Sequence, residues 1–393
     1  MIKAIKVRLY PTKDQEILMF KSAGVARFVY NWGLNYLNTY YKDNKKSLSI
    51  GNLRKIFTEL RNSEEFPWLR EISSEIPQQA LKDLGDAFSD FFKGTHDYPR
   101  FKKKNKCETS FFHLNNKFVV NNKRIKLEKI GFIKMKDEDR LPIGNYKKDK
   151  IKVTNPRIKH NGHYWYLSLG FEVSANIKSV ENTEISIGVD LGIKDLAIVS
   201  NIPKPFKNIN KSKKVKKLNK KLKKLQKQCS RKYEMNLGNK DKQIMSKTGK
   251  VYIKTQNIIK LEKKIKLLHK KIADIRLNHI HQTTNTIVKT KPSRIVVEDL
   301  NVKGMLKNKH LSKAIQEQCF NKFINILKYK SEWNNIEFVK ADRFFPSSKM
   351  CSCCGSIKKD LRLKDRIYKC ECGFILDRDK NASINLANYK LVV

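Results

Sequence analysis

The sequence predicts a multidomain α/β fold for a chain of 393 residues. Three observations carry that prediction. Apolar residues recur at helical spacing through 12–95, and β texture with turn signals then fills 111–173. Two later apolar runs, ISIGVDL and RIVVEDL, each read as a strand carrying an acid near its end. A pair of cysteine knuckles finally interrupts the chain between a strand expected over 336–342 and a last helix, as a small metal-bound insertion would.

Taken in order, Ile2 to Tyr10 reads as a strand stopped by Pro11, and Thr12 with Gln15 can form a capping box for the helix that follows. Val25, Phe28, Val29, Trp32 and Tyr36 give that helix an apolar face. A later helix starts near Pro77, lines one face with Leu81, Leu84, Phe88, Phe91 and Phe92, and ends at Gly94. Residues 12–95 are therefore expected to form a small helical bundle with these stripes as its core. At Tyr98 the run YPRFKKKNK alternates aromatics with cations, which suits base stacking and phosphate contact and also suits a solvated loop. KFVVNNKRIKL, from Lys117, has an Asn-Asn turn, and Asn161-Gly162 separates two strands as a hairpin signal. A β-barrel or open sheet is expected over 96–175, with strand 1–10 able to join it.

Charge bounds the partners. Lys and Arg total 84 against 38 Asp and Glu, a formal net charge of +46. Self-repulsion of that size disfavours a compact state, and a polyanion such as nucleic acid would neutralise it. Residues 211–230, KSKKVKKLNKKLKKLQKQCS, hold ten lysines and no acid on a helix with a seam of Leu218, Leu222 and Leu225. A second basic helix is expected from Thr255 to Val288, with 233–254 as an irregular connection. A spacer hairpin would mix charge signs, and this first helix does not, which favours a nucleic-acid face. No window approaches the ~18 uninterrupted apolar residues of a spanning helix. The start, MIKAIKVRLYPTKDQ, lacks the apolar core of a signal peptide. The expectation is a cytoplasmic protein with no membrane partner and reduced thiols. Five of the eight cysteines fall between Cys351 and Cys372, so metal binding outranks disulfides.

Two constellations carry chemistry. Asp190 and Glu298 are acids inside apolar strand patterns, a costly placement unless they are paired or metal-bound. Asp377 and Asp379 precede a helix expected over Lys380 to Tyr389. Each of these alone is readable as a structural acid. Together they make a carboxylate set able to gather two divalent ions for phosphodiester hydrolysis. Of the pair, Asp379 lies nearer the helix start, where an ionised carboxylate is favoured, and Asp377 is left as its hydrogen-bond partner. The thiols form a separate site. Cys351 and Cys354 make a C-x-x-C, Cys370 and Cys372 a C-x-C, and fifteen residues separate the two knuckles. That pattern fits a tetrahedral structural zinc, with Cys353 as a spare thiol.

These residues resemble a known family. GVDLG, VVEDL, PSSKMCSCCG and CECGFILDRDKNASINLA resemble the TnpB family of transposon-encoded, RNA-guided DNA nucleases, relatives of the compact type V CRISPR effectors. YPRF and the start MIKAIKVRLYPT also fit, so the resemblance covers nearly the whole chain. It implies an RNase H-like RuvC nuclease domain over 181–342 and 374–393, with 211–288 as a basic helical hairpin and a zinc ribbon inserted over 343–373. It implies a wedge β-barrel domain over 1–11 and 96–180, and a helical recognition domain over 12–95. Asp190, Glu298 and Asp379 match the catalytic acids, which would hold two magnesium ions, and Cys351, Cys354, Cys370 and Cys372 match the zinc positions. The implied partners are a guide RNA from the transposon end and target DNA beside a short recognition motif; the chain alone does not fix the oligomeric state, and a monomer is the favoured expectation. The C-x-C knuckle and Cys353 depart from the family pattern. Two rival readings stand beside the nuclease. One is an RNA-guided DNA-binding repressor with a silent nuclease. The other is a guide-independent RNase H-like nuclease or transposase.

Overall fold

A computed structural model describes residues 2–104, 107–113, 119–121, 123–136, 153–172, 183–237, 243–246, 249–252, 254–362 and 365–390. The chain divides into two units, Met1–Asn176 and Ile177–Val393. The expected boundary at 180/181 lies outside the described residues.

The first unit opens with β1 (Ile2–Tyr10), α1 (Lys13–Asn44), α2 (Ile50–Asn62) and α3 (Glu75–Phe92). The Thr12 side chain accepts from Gln15 N and the Gln15 side chain accepts from Thr12 N, so the capping box forms and fixes where α1 starts. Leu34, Leu53, Phe57, Leu81 and Leu84 are buried together between these helices. The expected α3 stripe is not core throughout. Phe92 is 78% exposed, because the helix ends there and Gly94, at φ +70°, turns the chain away.

The strands that follow are β2 (Thr109–Phe112), β3 (Val119–Asn121), β4 (Arg124–Leu127), β5 (Gly131–Met135), β6 (Val153–His160) and β7 (Trp165–Glu172). They form one antiparallel sheet in the order β2-β6-β7-β1-β5-β4-β3. The opening strand does join this sheet, at its centre. Among the described residues its pairings run from β2 to β3. Asn161 closes the β6–β7 loop by accepting from the amides of His163 and Tyr164, with Gly162 at φ +89°. Of the expected Asn-Asn turn, Asn122 lies outside the described residues, as do Asn105 and Lys106 of the YPRFKKKNK run. Tyr98 and Phe101 of that run are exposed, whereas Lys102 stacks its ammonium 3.5 Å from the Tyr30 ring centroid.

The second unit contains β8 (Thr183–Leu191), β9 (Asp195–Val199), β10 (Phe206–Lys207), α4 (Lys213–Leu237), β11 (Gln243–Ser246), β12 (Gly249–Tyr252), α5 (Gln256–Lys289), β13 (Pro292–Glu298), α6 (Val302–Met305), α7 (Ser312–Gln318), α8 (Phe320–Trp333), β14 (Glu337–Ala341), β15 (Ile367–Lys369), β16 (Ile375–Asp377) and α9 (Arg378–Ala387). Its main sheet runs β10-β9-β8-β13-β14, with β13 parallel to both β8 and β14 and β9 antiparallel to β8. Strand side chains alternate between faces. Ile187, Val189, Ile295 and Val297 enter one core with α8 residues Phe323 and Leu327. Val296 enters a separate cluster with Leu386 of α9. The mixed sheet is thus covered on both faces where its parallel strands β8, β13 and β14 lie.

The two basic helices α4 and α5 pack through Val215, Leu222 and Ile272, and all ten lysines of 211–230 are exposed. The connection between them is more ordered than expected. Helix α4 continues to Leu237, and β11 pairs with β12 as an antiparallel ribbon. Such a short ladder is held by backbone pairing and leaves little periodicity to read. Gly238, part of that expected connection, lies outside the described residues. Among the described residues no helix is long and apolar enough to cross a membrane.

One glycine sets the approach of α9 to the sheet. A Cβ on Gly188 would lie 2.0 Å from Ser383 O and 2.5 Å from Ala387 N. Both are backbone atoms, so α9 can lie flat on β8 only if position 188 has no side chain. We predict that Gly188→Ala lowers unfolding free energy by about 1–3 kcal/mol, the cost of overpacking a filled core. Chemical denaturation of the full chain checks this, and an unchanged midpoint would mean that α9 can shift without cost.

Candidate metal centres

The carboxylates come together by strand register. Gly188 and Asp190 share one face of β8, and Val296 and Glu298 share one face of β13. The parallel pairing aligns Val296 with Gly188 and Val297 with Val189, so the next step along the strands sets Glu298 beside Asp190. Because Gly188 and Val296 face α9, both acids face it too. Asp190 and Glu298 are half-buried. Burial, then the charges of Glu298 and Asp379, hold the Asp190 carboxyl well above the ordinary carboxylate range, and Arg378 offsets part of this. Burial and Asp379 likewise raise Glu298, against a 2.5 Å hydrogen bond donated by the Ser347 hydroxyl.

Helix α9 brings the third acid. It begins at Arg378, earlier than expected, so Asp379 stands in its first turn and Asp377 is the cap. Asp377 Oδ1 accepts from the amides of Asp379 and Lys380 at 3.0 and 3.1 Å. The two aspartates therefore do not share one extended segment. β16 ends at Asp377, and the helix turn after it aims Asp379 elsewhere. Arg378 Nη2 donates to Asp379 Oδ1 at 3.2 Å, and Arg366 Nη1 lies 3.9 Å from Asp379 Oδ2. Lys380 ties this turn to the end of β9 by donating to the carbonyls of Val199, Ser200 and Ile202.

The thiols form the second centre. The sulfurs of Cys351, Cys354, Cys370 and Cys372 all lie within 4.8 Å of one another. Cys354–Cys370 and Cys351–Cys372 are 3.5 and 3.8 Å apart, close to the ~3.8 Å edge of a tetrahedron with ~2.3 Å zinc–sulfur bonds. The donor set thus fits zinc. Cys353 is exposed and stands outside the group. Each knuckle closes on a glycine in the left-handed region: Gly355 N donates to Cys351 O, and Gly373 N donates to Cys370 O. The second turn is one residue tighter, which is how the C-x-C spacing is absorbed. The Ser356 hydroxyl, then a backbone amide, pull the Cys370 thiol down to about 6, while its neighbour Cys372, against a backbone amide that lowers it, is pushed up to about 12 by hydrogen bonding to Cys370, so the metal-free cluster shares its protons unevenly. Tyr368 is fully buried beneath the knuckles and donates to the carbonyls of Lys349 and Ser356. Among the described residues only these four thiols bring three or more Cys, His, Asp or Glu ligand atoms within 4.8 Å of one another; the carboxylates of Asp190, Glu298 and Asp379 face one another without reaching that closeness.

Residues 320–386 match the family model described as "Cas12f1-like, TNB domain", residues 168–309 match "Probable transposase", and residues 1–46 match "Helix-turn-helix domain". In that last span the structure has β1 and the single helix α1. A Streptomyces pristinaespiralis protein described as "Putative RNA-guided DNA endonuclease" is 30% identical, over 98% of this chain and 88% of its own. The "Putative RNA-guided DNA endonuclease InsQ" of Escherichia coli (strain K12) is 28% identical over 98% of this chain and 91% of its own. The "TnpB-like protein L79" of Acanthamoeba polyphaga mimivirus is 24% identical over 98% and 72%. A chain of the cryo-EM structure of the Cas12f1-sgRNA-target DNA complex superposes with a TM-score of 0.57 over 99% of both chains at 13% identity, a likeness of fold.

The raised Asp190 carboxyl has a consequence for stability. A group whose folded pKa is raised favours folding below its unfolded pKa, and that benefit is lost as pH rises through the folded value. In buffer without added divalent ions, Asp190→Asn should therefore melt higher than the parent at pH 8, by about 2–4 °C per kcal/mol of relieved repulsion. The gap should close as pH falls through the raised range. A gap independent of pH, or a lower melting temperature at pH 8, would contradict the burial and crowding described for this acid.

Proposed function

The chain belongs to the TnpB family, and from that premise we propose that it is an RNA-guided, divalent-metal-dependent DNA endonuclease encoded by a transposon. The observation that carries the reading is the convergence of Asp190 and Glu298 on one sheet face with Asp379 at the start of the helix packed there. Burial and then mutual repulsion raise Asp190 and Glu298, and bound cations would relieve both. Magnesium ions held by these three carboxylates would supply activation of a water and stabilisation of the leaving oxygen in phosphodiester hydrolysis. The chain's own part is to aim the carboxylates. Asp377 caps the helix, Ser347 orients Glu298, and Lys380 fixes the first turn of α9 against β9.

On this reading the second unit carries a RuvC-like nuclease domain with a zinc ribbon on Cys351, Cys354, Cys370 and Cys372. The first carries a helical recognition domain and a wedge domain built on its seven-stranded sheet. The exposed lysines of α4 suit a path for a heteroduplex of guide RNA and target DNA, recognised through its backbone while base pairing supplies sequence. The description of the bacterial relatives as RNA-guided DNA endonucleases supports RNA and DNA as partners.

The test is to sequence RNA that co-purifies with the protein and to assay cleavage of a matched DNA. Asp379→Ala should lower cleavage by more than about 10³-fold while leaving guide-dependent DNA binding intact. Asp377→Ala should still cut, at a cost of about 1 kcal/mol in helix stability from the lost cap. Cutting by the Asp379 variant together with loss in the Asp377 variant would exchange their roles. Guided binding without cutting by the parent would favour the repressor.

A further inference from the structure

The side of α9 facing the first cysteine knuckle carries two buried amides that neither metal centre requires as ligands. Asn381 is 0% and Asn385 2% exposed, and their i, i+4 spacing puts them on one face of the helix. Asn381 uses both ends of its amide: Nδ2 donates to Met350 O at 2.7 Å, and Oδ1 accepts from Ser352 N at 3.0 Å. These are the residues on either side of Cys351, so Asn381 brackets the buried thiol of the cluster. Asn385 Nδ2 donates to Met350 O and to Ser347 O, each at 2.7 Å. Ser347, 4% exposed, then donates its hydroxyl to Glu298 Oε1. A continuous set of hydrogen bonds, wholly or partly buried, thus runs from the knuckle, through α9, to the carboxylate of Glu298. Asp379 leaves the same helix two residues before Asn381.

We propose that Asn381 and Asn385 are positioning residues that lock the cysteine knuckle to α9 and, through Ser347, hold Glu298 in place opposite Asp379. The ribbon then acts as a strut of the carboxylate site as well as a fold of its own. The physical reason is that like-charged carboxylates separate unless held. Ser347 supplies the directed hydrogen bond on Glu298, and a serine on a connecting loop keeps its direction only if its backbone is fixed. Asn385 fixes it from a helix, and Asn381 fixes the next turn of the loop to the same helix. Hydrogen-bond partners of metal-binding carboxylates commonly govern affinity by about 10–100-fold. The proposal rests on the reading that Asp190, Glu298 and Asp379 take divalent ions.

The test measures Mn²⁺ binding to the full chain by electron paramagnetic resonance, alongside zinc content, thermal melting and nucleic-acid binding. Asn385→Asp keeps the volume but removes the donor to Ser347 O and Met350 O. Ser347→Ala removes the hydroxyl on Glu298, and Ser347→Thr restores it. Each of the first two should weaken Mn²⁺ by about 10–100-fold with zinc and nucleic-acid binding retained. Their double variant should be no weaker than either, since both break one path, and Ser347→Thr should bind as the parent does. Unchanged Mn²⁺ affinity in folded Asn385→Asp, or losses that simply add, would overturn the proposal. Should Asn385→Asp fail to fold, Asn381→Ala, which leaves both bonds of Asn385 in place, decides by the same criterion. If the parent binds no Mn²⁺ that Asp190→Asn abolishes, the metal reading itself has failed and the proposal falls with it. Mn²⁺ binding that is present but indifferent to Asn385, Asn381 and Ser347 removes the proposal alone.

Discussion

The burial of Asp190 and Glu298, sharpened by their crowding with Asp379, is the constraint that the second unit has to meet. Carboxylates packed together at a half-buried site cost free energy as long as they are ionised and uncompensated. The sheet places two of them by register alone, since a one-residue slip between β8 and β13 would turn Glu298 away from α9. The helix bearing the third can approach only because position 188 is glycine. Arg378 supplies positive charge beside Asp379, Ser347 supplies a donor to Glu298, and Asp377 holds the amides of the first helical turn. Each of these groups makes sense as a response to the same crowding.

The cysteine segment answers a different problem. Residues between β14 and β16 are too few to bury a core of their own, and Tyr368 is the large side chain fully enclosed there. Thiolate–metal bonds can replace the missing hydrophobic burial in so short a segment. This segment sits directly ahead of Asp377 in sequence and is clamped to α9 in space. Its order and the placement of Asp379 are therefore mechanically linked, which gives a physical reason for thiols and carboxylates to crowd one stretch of chain.

How much of this was legible depends on the kind of signal. Asp190 and Glu298 stand out because an acid in an apolar strand has few structural uses, and the four cysteines stand out because thiol spacing is a direct record of ligand geometry. The strand partners of Asp190 and Glu298 were not legible, because register is a tertiary property. Asn381 and Asn385 read as ordinary polar residues of a short helix, and their role depends on a loop far away in sequence. The D-R-D-K-N run was the available clue, and it could not say which face α9 would bury. The helix start was misjudged by two residues because Asp377 caps through its side chain while still belonging to a strand. Phe92 was read as core because periodicity does not reveal where a helix outruns its partner. The β11–β12 ribbon went unread because two short strands carry almost no pattern.

The most direct measurement of the central claim is anomalous scattering from crystals of the protein soaked in Mn²⁺. The account predicts manganese peaks held between Asp190, Glu298 and Asp379 in the parent and absent in Asp190→Asn, with the cysteine cluster occupied in both. Manganese ordered elsewhere, with these three carboxylates unliganded, would contradict it.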